Sequence, residues 1–454
     1  MSNDDSISRV LKLAEERGLT HVNLGTYEVN GSYRSKRYHV RHLKKSMTDG
    51  IAWIAIPSGI DTADQIIPTN PFVNPDKGFA DAVLLMDPDS CREMPYDSDG
   101  NGLLLIGNFT GEHAAHCVRA LLTREIERLS TLGYDLYGGF ELEGAVLAET
   151  AESLRSKCPA DVKTVDGFDK VYSFENQTRH AGLMDELIST CAKMGLPLDT
   201  IHAEFVGMLE VGMTPTLGVR IADNAALYKS VAKIVAARHD AYITFMARRH
   251  ESEQGCGAHI NVSLRQIGTD SPIFHDADRE DRLSQTMRYF IGGLNRYIPE
   301  LFLLLAPHLN SYKRFLPDLF TPLNNTWGIN NKTVAFRALN VTPAAARVEV
   351  RLAGADINPH LGLLAVIAAG RLGIEQKIEP PPPVETSGWS VENPEGPSMP
   401  MNFIEAIERF DTSEVAREVL SPGFVDAFVS DRQWQVEQFS KTVTDWELAM
   451  YGNL

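Results

Sequence analysis

The stretch His259-Ile260-Asn261-Val262-Ser263-Leu264 alternates polar and apolar residues without a break. On a β-strand, successive side chains point to opposite faces. His259, Asn261 and Ser263 then share one face, and Ile260, Val262 and Leu264 the other. Arg347-Val348-Glu349-Val350-Arg351-Leu352 repeats the pattern, with Arg, Glu and Arg together. Glu141-Leu142-Glu143, after Tyr137-Gly138-Gly139-Phe140, puts two carboxylates on a third strand face. In Glu204-Phe205-Val206-Gly207-Met208-Leu209-Glu210 two more stand six apart, and Gly207 between them reads as a bulge within a strand.

One such strand reads as an amphipathic element with a solvated polar face. The set does not. Its polar faces hold Glu141, Glu143, Glu204, Glu210, Glu349 and His259 but no lysine. Carboxylates converging on one cavity repel strongly at low effective dielectric. Divalent cations remove that repulsion, and oxygen donors with one imidazole suit Mg2+ or Mn2+. Arginines on the same faces call for an anionic ligand. Metal plus arginine is the equipment of phosphoryl transfer. The chain has no GxxxxGK[ST], no GxGxxG after a strand and no Gly-x-Ser-x-Gly, so P-loop, dinucleotide and serine-hydrolase readings lack support. His250 and His259 are not in HExxH spacing, and His250 reads as a surface residue.

The 454 residues carry 43 basic and 60 acidic side chains, a formal charge of −17. That balance argues against nucleic acid and anionic membranes as partners. Leu301–Ala306 and Leu361–Gly370 are too short to span a bilayer and read as buried segments. The acidic start Met-Ser-Asn-Asp-Asp is not a secretory signal. Five scattered cysteines, never in CxxC spacing, suit a reducing cytoplasm and exclude a zinc ribbon. Periodicity predicts helices over 6–17, 112–132, 181–195, 223–239, 278–297 and within 402–454. Residues 20–40 read as a hairpin turning at Asn30-Gly31. After the stiff Pro380–Pro383 run, 384–400 reads as an exposed loop. The boundary falls near 105–111, giving a small β-rich unit over 1–108 and a large α+β unit over 109–454.

At this point five motifs, in order, resemble glutamine synthetase and its relatives over nearly the whole chain. They are Phe140-Glu-Leu-Glu143, His202-Ala-Glu-Phe with Glu210, Gly255-Cys-Gly-Ala-His-Ile-Asn-Val-Ser263, Asn310-Ser-Tyr-Lys-Arg314, and Arg347 through Pro359. The resemblance implies an α+β fold: an N-terminal β-grasp domain, then a catalytic domain whose curved antiparallel sheet forms a half-barrel flanked by helices. It implies a homo-oligomer of stacked rings, a dodecamer, with active sites between neighbouring subunits. Glu143, Glu204 and Glu210 resemble the ligands of one metal, and Glu141, His259 and Glu349 those of a second, for two or three Mg2+ or Mn2+ per site. Arg314 and Arg351 resemble the arginines holding the glutamate carboxylate and the transferring phosphate, and Arg337 the nucleotide-phosphate arginine. Gly255 matches the backbone contact to the glutamate amino group. Asn261 and Ser263 lie in the nucleotide-binding strand. The implied chemistry is phosphorylation of the glutamate γ-carboxylate by ATP, then displacement of phosphate by an amine.

Departures from the family pattern bear on the amine. The flap glutamate that serves ammonium in true glutamine synthetases stands six residues after the arginine of the Asn-Ser-Tyr-Lys-Arg motif. Here that position is Phe320. The ammonium-binding aspartate segment has no counterpart beyond Asp49-Gly50-Ile51-Ala52. Both absences point to a larger amine, with Phe320 lining an apolar pocket; Asp318, on the same flap, is the residue that would substitute for the glutamate. Lys332 replaces an arginine that supports phosphoryl transfer, keeping charge and losing bidentate geometry. Ala344 replaces a nucleotide-side lysine, one residue is missing between Glu204 and Glu210, and no adenylylation tyrosine is recognisable in 384–400. The expectation is a cytoplasmic ligase acting on ATP, L-glutamate and an amine other than ammonia. The alternatives are a true glutamine synthetase, a ligase for another acid and an inactive scaffold.

Overall fold

The computed structural model of the chain describes residues 3–165, 170–317, 319–391 and 395–454. Its first sheet holds β1 (His21–Tyr27), β2 (Tyr33–His39), β3 (Ile51–Ile54), β4 (Asp81–Met86), β5 (Arg92–Met94) and β6 (Gly102–Phe109). The order is β2-β1-β6-β4-β3, with β5 beside β6, and β1 runs parallel to β6 as in a β-grasp. The β1–β2 hairpin turns at Asn30-Gly31 as expected, with Gly31 at φ +92°. The Leu-rich β6 is buried on both faces. Leu103 and Leu105 join a cluster with the helix Asn3–Glu16, while Leu104 and Ile106 join the main core.

The second sheet builds the half-barrel. Its strands are β7 (Tyr134–Leu147), β8 (Leu198–Ala203), β9 (Met208–Met213), β10 (Thr216–Leu217), β11 (Tyr242–Thr244), β12 (Ala258–Gln266), β13 (Trp327–Ile329), β14 (Phe336–Leu339) and β15 (Arg347–Val350). The order is β13-β14-β15-β12-β7-β9-β8, with β10 and β11 also on β7, and every pair is antiparallel except β13–β14. Strand register fixes the chemistry: His259 pairs with Glu141, Asn261 with Gly139 and Glu349, and Glu143 with Glu210. The strands pack closely at Gly138, where a Cβ would lie 2.2 Å from the Asn261 carbonyl.

The apolar faces of β7 and β12 rest on buried helices. The helix Pro359–Gln376 is apolar on nearly every side and lies under the sheet, as expected of Leu361–Gly370. Asn358 caps it, accepting from His360 N–H at 2.9 Å, and donates to the carbonyls of Glu28 and Val29 at 3.1 Å, tying the N-terminal hairpin to the core. Arg119 forms a second tie, gripping Asp223 (3.0 Å) and Asp87 (2.7 Å) while His360 meets Asp223 at 2.9 Å.

Three local expectations change. The 112–132 helix splits into a 3-10 turn, Gly111–His116, and a helix, Val118–Thr131. Cys117 is extended between them, where His116 turns in to Ser58 at 2.9 Å. The 278–297 helix starts later, as Gln285–Leu301 capped by Ser284, because 275–283 fold back on themselves through a bridge between His275 and Leu283. Glu204–Glu210 is no single bulged strand: residues 204–207 form the turn joining β8 to β9, and Glu210 lies on β9. Gly207 takes φ +74° there, and Glu204 N–H bonds Met208 O at 3.0 Å. The described residues of 384–400 form a largely exposed loop, as expected, anchored where Asn331 donates to the carbonyls of Val384 and Thr386 and Asn324 to that of Gly388. Among the described residues no helix is long and apolar enough to cross a membrane.

Candidate active site

Two adjoining cavities open on the polar face of the half-barrel and share Glu141. The first, about 240 Å3, is lined by Glu141, Glu143, Glu204, Glu210, His259 and Glu349, by Gly255, Arg314, Lys332, Arg337 and Arg351, and by Phe320. The second, about 310 Å3, is lined by Asn261 and Ser263 with Arg347, Ala344 and the glycine-rich start of β7. Every site residue selected from the sequence therefore lines one cavity or the other. For Glu141, Glu143, His259, Asn261, Ser263 and Glu349 the alternation did this: β7, β12 and β15 are neighbours in register, so their polar residues fall side by side.

The acids form linked groups. Glu141, Glu210 and His259 each offer a donor atom within 4.8 Å of the others, and so do His202, Glu204 and Glu210. The structure thus draws Glu210 to both groups. Glu143 accepts the Gly257 N–H at 2.5 Å, and Glu349 lies under Arg337 (2.8 Å), Arg351 and His259 (3.6 Å). Electrostatics separates the acids. Burial would raise the Glu141 carboxyl, but His259, Arg347 and Asn261 outweigh it and hold it at about 2. Glu349 is likewise held below the ordinary value, against its burial, by His259, Arg351 and Arg337. Glu210 goes the other way, to about 9, through burial and then repulsion from Glu143, Glu141 and Glu204. A proton or a cation must therefore relieve the cluster at neutral pH. Its carboxylate oxygens and imidazoles, a few ångströms apart, fit a divalent ion of the Mg2+ or Mn2+ kind.

Arg314 and Arg351 are almost wholly buried, and each, like Arg337, keeps a buried Nε–H with no acceptor among the described residues. Buried donors without partners are uncommon, and here three surround one cavity, ready for carboxylate or phosphate oxygens. Asn261 is engaged twice, donating to Glu141 at 3.1 Å and accepting from Arg347 at 2.8 Å. Ser263 donates to the Ala346 carbonyl at 2.8 Å.

An aromatic wall closes one side. Phe320 stands 6.4 Å from Phe205 and 5.3 Å, edge to face, from Trp389. Its N–H bonds Gln254 Oε1 at 3.1 Å, and Trp389 Nε1–H reaches the Thr321 carbonyl at 3.2 Å. Tyr172 stands edge-on to His202 at 4.9 Å and lines the same cavity. Asp318 lies outside the described residues. Sequence reasoning gave no role to His202, Tyr172, Phe205 or Trp389. His202 sits on β8 two residues before Glu204, a period-2 signal available in the sequence. Trp389 lies in an aperiodic Pro- and Ser-rich stretch that carries no such signal.

Comparison with known proteins fits this geometry. Residues 115–451 match the model of the glutamine synthetase catalytic domain. The chain belongs to the glutamine synthetase family. Family members are oligomeric, ATP-dependent enzymes that use divalent metals and join small substrates. Among similar proteins, a glutamate–isopropylamine ligase of a Pseudomonas species is 28% identical over 99% of this chain and 98% of its own. A gamma-glutamylethanolamide synthetase of Streptomyces coelicolor is 29% identical over 94% and 91%. A glutamine synthetase of Thermus thermophilus is 30% identical over 73% and 74%. The solved structure titled GmaS/ADP complex superposes with a TM-score of 0.83 at 22% identity, covering 98% of this chain and 99% of that one, and so shares the fold.

Proposed function

We propose that the protein is an ATP-dependent ligase that joins the γ-carboxylate of L-glutamate to an amine other than ammonia. The observation that carries the choice of amine is Phe320, which lines the acid-rich cavity and packs toward Phe205 and against Trp389. A phenyl ring cannot take the proton of an ammonium ion, but it can cover an alkyl or aryl group. Relatives named for isopropylamine, ethanolamide and putrescine chemistry support the same reading.

In this reading Glu141, Glu143, Glu204, Glu210, His259 and Glu349 hold Mg2+ or Mn2+. The bound metals supply positive charge against the ATP phosphates. Asn261 and Ser263 face the nucleotide, and Arg337 its phosphates. Arg314 and Arg351, with the Gly255 backbone, hold glutamate. The γ-carboxylate oxygen attacks the γ-phosphorus of ATP, ADP leaves, and an acyl phosphate results. The amine nitrogen then attacks the acyl carbon, inorganic phosphate departs and the nitrogen loses its proton. Lys332 keeps charge near the transferring group. The chain positions reactants and keeps water from the acyl phosphate. We further propose residues 1–108 as the β-grasp domain and 109–454 as the catalytic domain, supported by β6 ending at Phe109, in a cytoplasmic homo-oligomer of stacked rings.

The test is phosphate release from ATP with glutamate alone, with ammonium, and with a panel of alkyl, aryl and polyamines. The expected result is the highest kcat/KM for one of the larger amines. An ammonium optimum overturns the choice of amine in favour of a true glutamine synthetase. No release with any amine overturns the ligase itself.

A further inference from the structure

A third cavity, about 610 Å3, shares no lining residue with the first two. It lies between the β1–β2 turn, the helix Arg220–Arg238, the segment after β11 and residues 308–313. Four basic side chains line it. Arg34 is already matched, to Glu28 at 2.8 Å and Asp64 at 2.5 Å. Lys229, Lys233 and Lys313 have no carboxylate within ion-pair distance among the described residues. Lys229 and Lys233 stand one helical turn apart, a spacing at which like charges repel. Burial and Lys233 together pull the Lys229 ammonium down to about 7.

The cavity also touches the catalytic residues from behind. Lys229 Nζ donates to the carbonyls of Ala355 (2.8 Å) and Ile357 (3.0 Å), on either side of Asp356. Asp356 accepts from Ser311 Oγ at 2.5 Å, and its other oxygen is buried without a hydrogen-bond partner among the described residues. Ser311 opens the short 3-10 turn that ends in Arg314. A ligand drawing on Lys229 thus pulls on the loop that backs Arg314.

We propose that this cavity binds a small polyvalent anion, carboxylate or phosphate in chemistry, between Lys229 and Lys233 with Lys313 at its edge. An anion there meets Lys229 and Lys233 directly, whereas the two acids lining the cavity, Glu28 and Asp356, act on them only from beyond ion-pair distance, Glu28 being held by Arg34. Like-charged neighbours without a directly paired counter-charge repel, and a ligand of opposite sign seated between them reduces that repulsion.

The probes are succinate and inorganic phosphate, titrated against the full-length protein. A non-hydrolysable ATP analogue, Mg2+ and glutamate fill the catalytic cavities, and NaCl of equal ionic strength is the reference. The expected result is a saturable rise in Tm with one probe or both. Which probe responds separates a carboxylate ligand from a phosphate one. Lys233→Gln weakens the apparent affinity about tenfold or more, and Lys233→Arg retains it. The exposed Lys233 is chosen because Lys229, tied to two carbonyls, is the riskier site for folding. A response unchanged in Lys233→Gln, or no saturable response to either probe, overturns the proposal. Turnover plays no part in the readout, so the result stands apart from the identity of the amine.

Discussion

Replacing Glu349 by alanine tests the charge arrangement on which the site depends. The Glu349 side chain is 1% exposed; those of Arg351 and Arg337 are 6% and 16% exposed. This is the regime of buried pairs, where removing one partner costs about 3–5 kcal/mol, not the 0–1 kcal/mol typical of exposed pairs. The alanine strands two guanidinium groups and leaves His259 with Glu141 alone. The expected loss in unfolding free energy is therefore about 3–5 kcal/mol, read from urea denaturation with a chelator present. Glu349 has its folded pKa held below the ordinary 4.5. Its contribution is thus present above that value and fades as pH falls through the folded one. The gap between wild type and variant should narrow in acid. With ATP, glutamate, Mg2+ and the preferred amine, phosphate release should vanish. Stability within about 1 kcal/mol of wild type, together with retained release, refutes both the anchoring of the arginines and the ligand role. Lost release at unchanged stability refutes the anchoring alone.

Phe320→Glu should raise kcat/KM for ammonium relative to bulky amines, and an unchanged ratio clears the flap of its proposed role. Trp389→Ala removes an edge-to-face contact worth about 0.5–1.5 kcal/mol. The KM for the preferred amine should therefore rise several-fold at unchanged kcat, and equal KM values for the two proteins would remove Trp389 from the wall. Glu210 sits at about 9 when folded, above its ordinary 4.5. Metal-free protein should therefore lose stability as pH climbs between those values, because the unfolded chain gives up the proton first. A divalent ion displaces that proton, so calorimetry should show tighter Mg2+ or Mn2+ binding at about pH 8 than at about pH 6, with proton release. Metal affinity that is flat over that range would contradict the shift.

The sheet that carries the site was legible because period-2 alternation is both a folding signal and a placement rule. Once Ile260, Val262, Val348 and Val350 are buried, His259, Asn261 and Glu349 have only one face left. Helices with long apolar stripes were legible for the same reason. Expectations changed where a single side chain or turn overrode the pattern. His116 interrupts a helical stripe by turning in to Ser58, and Gly207 makes a hairpin where alternation alone reads a strand. The wall around Phe320 was the hardest part. Trp389 reaches it from 69 residues along the chain through one ring contact and one hydrogen bond, and neither leaves a periodic trace.

The pairing of β12 with β7 on one side and β15 on the other has a consequence for how such a protein diversifies. Shifting β12 by one residue would turn His259, Asn261 and Ser263 into the core and Ile260 and Val262 into the cavity, losing fold and chemistry together. Insertions and deletions are therefore barred from the barrel staves. They can accumulate in the connections, above all 315–326 and 384–400, which meet at Phe320 and Trp389. New acceptor preferences should arise by rewriting those two connections while the staves stay unaltered.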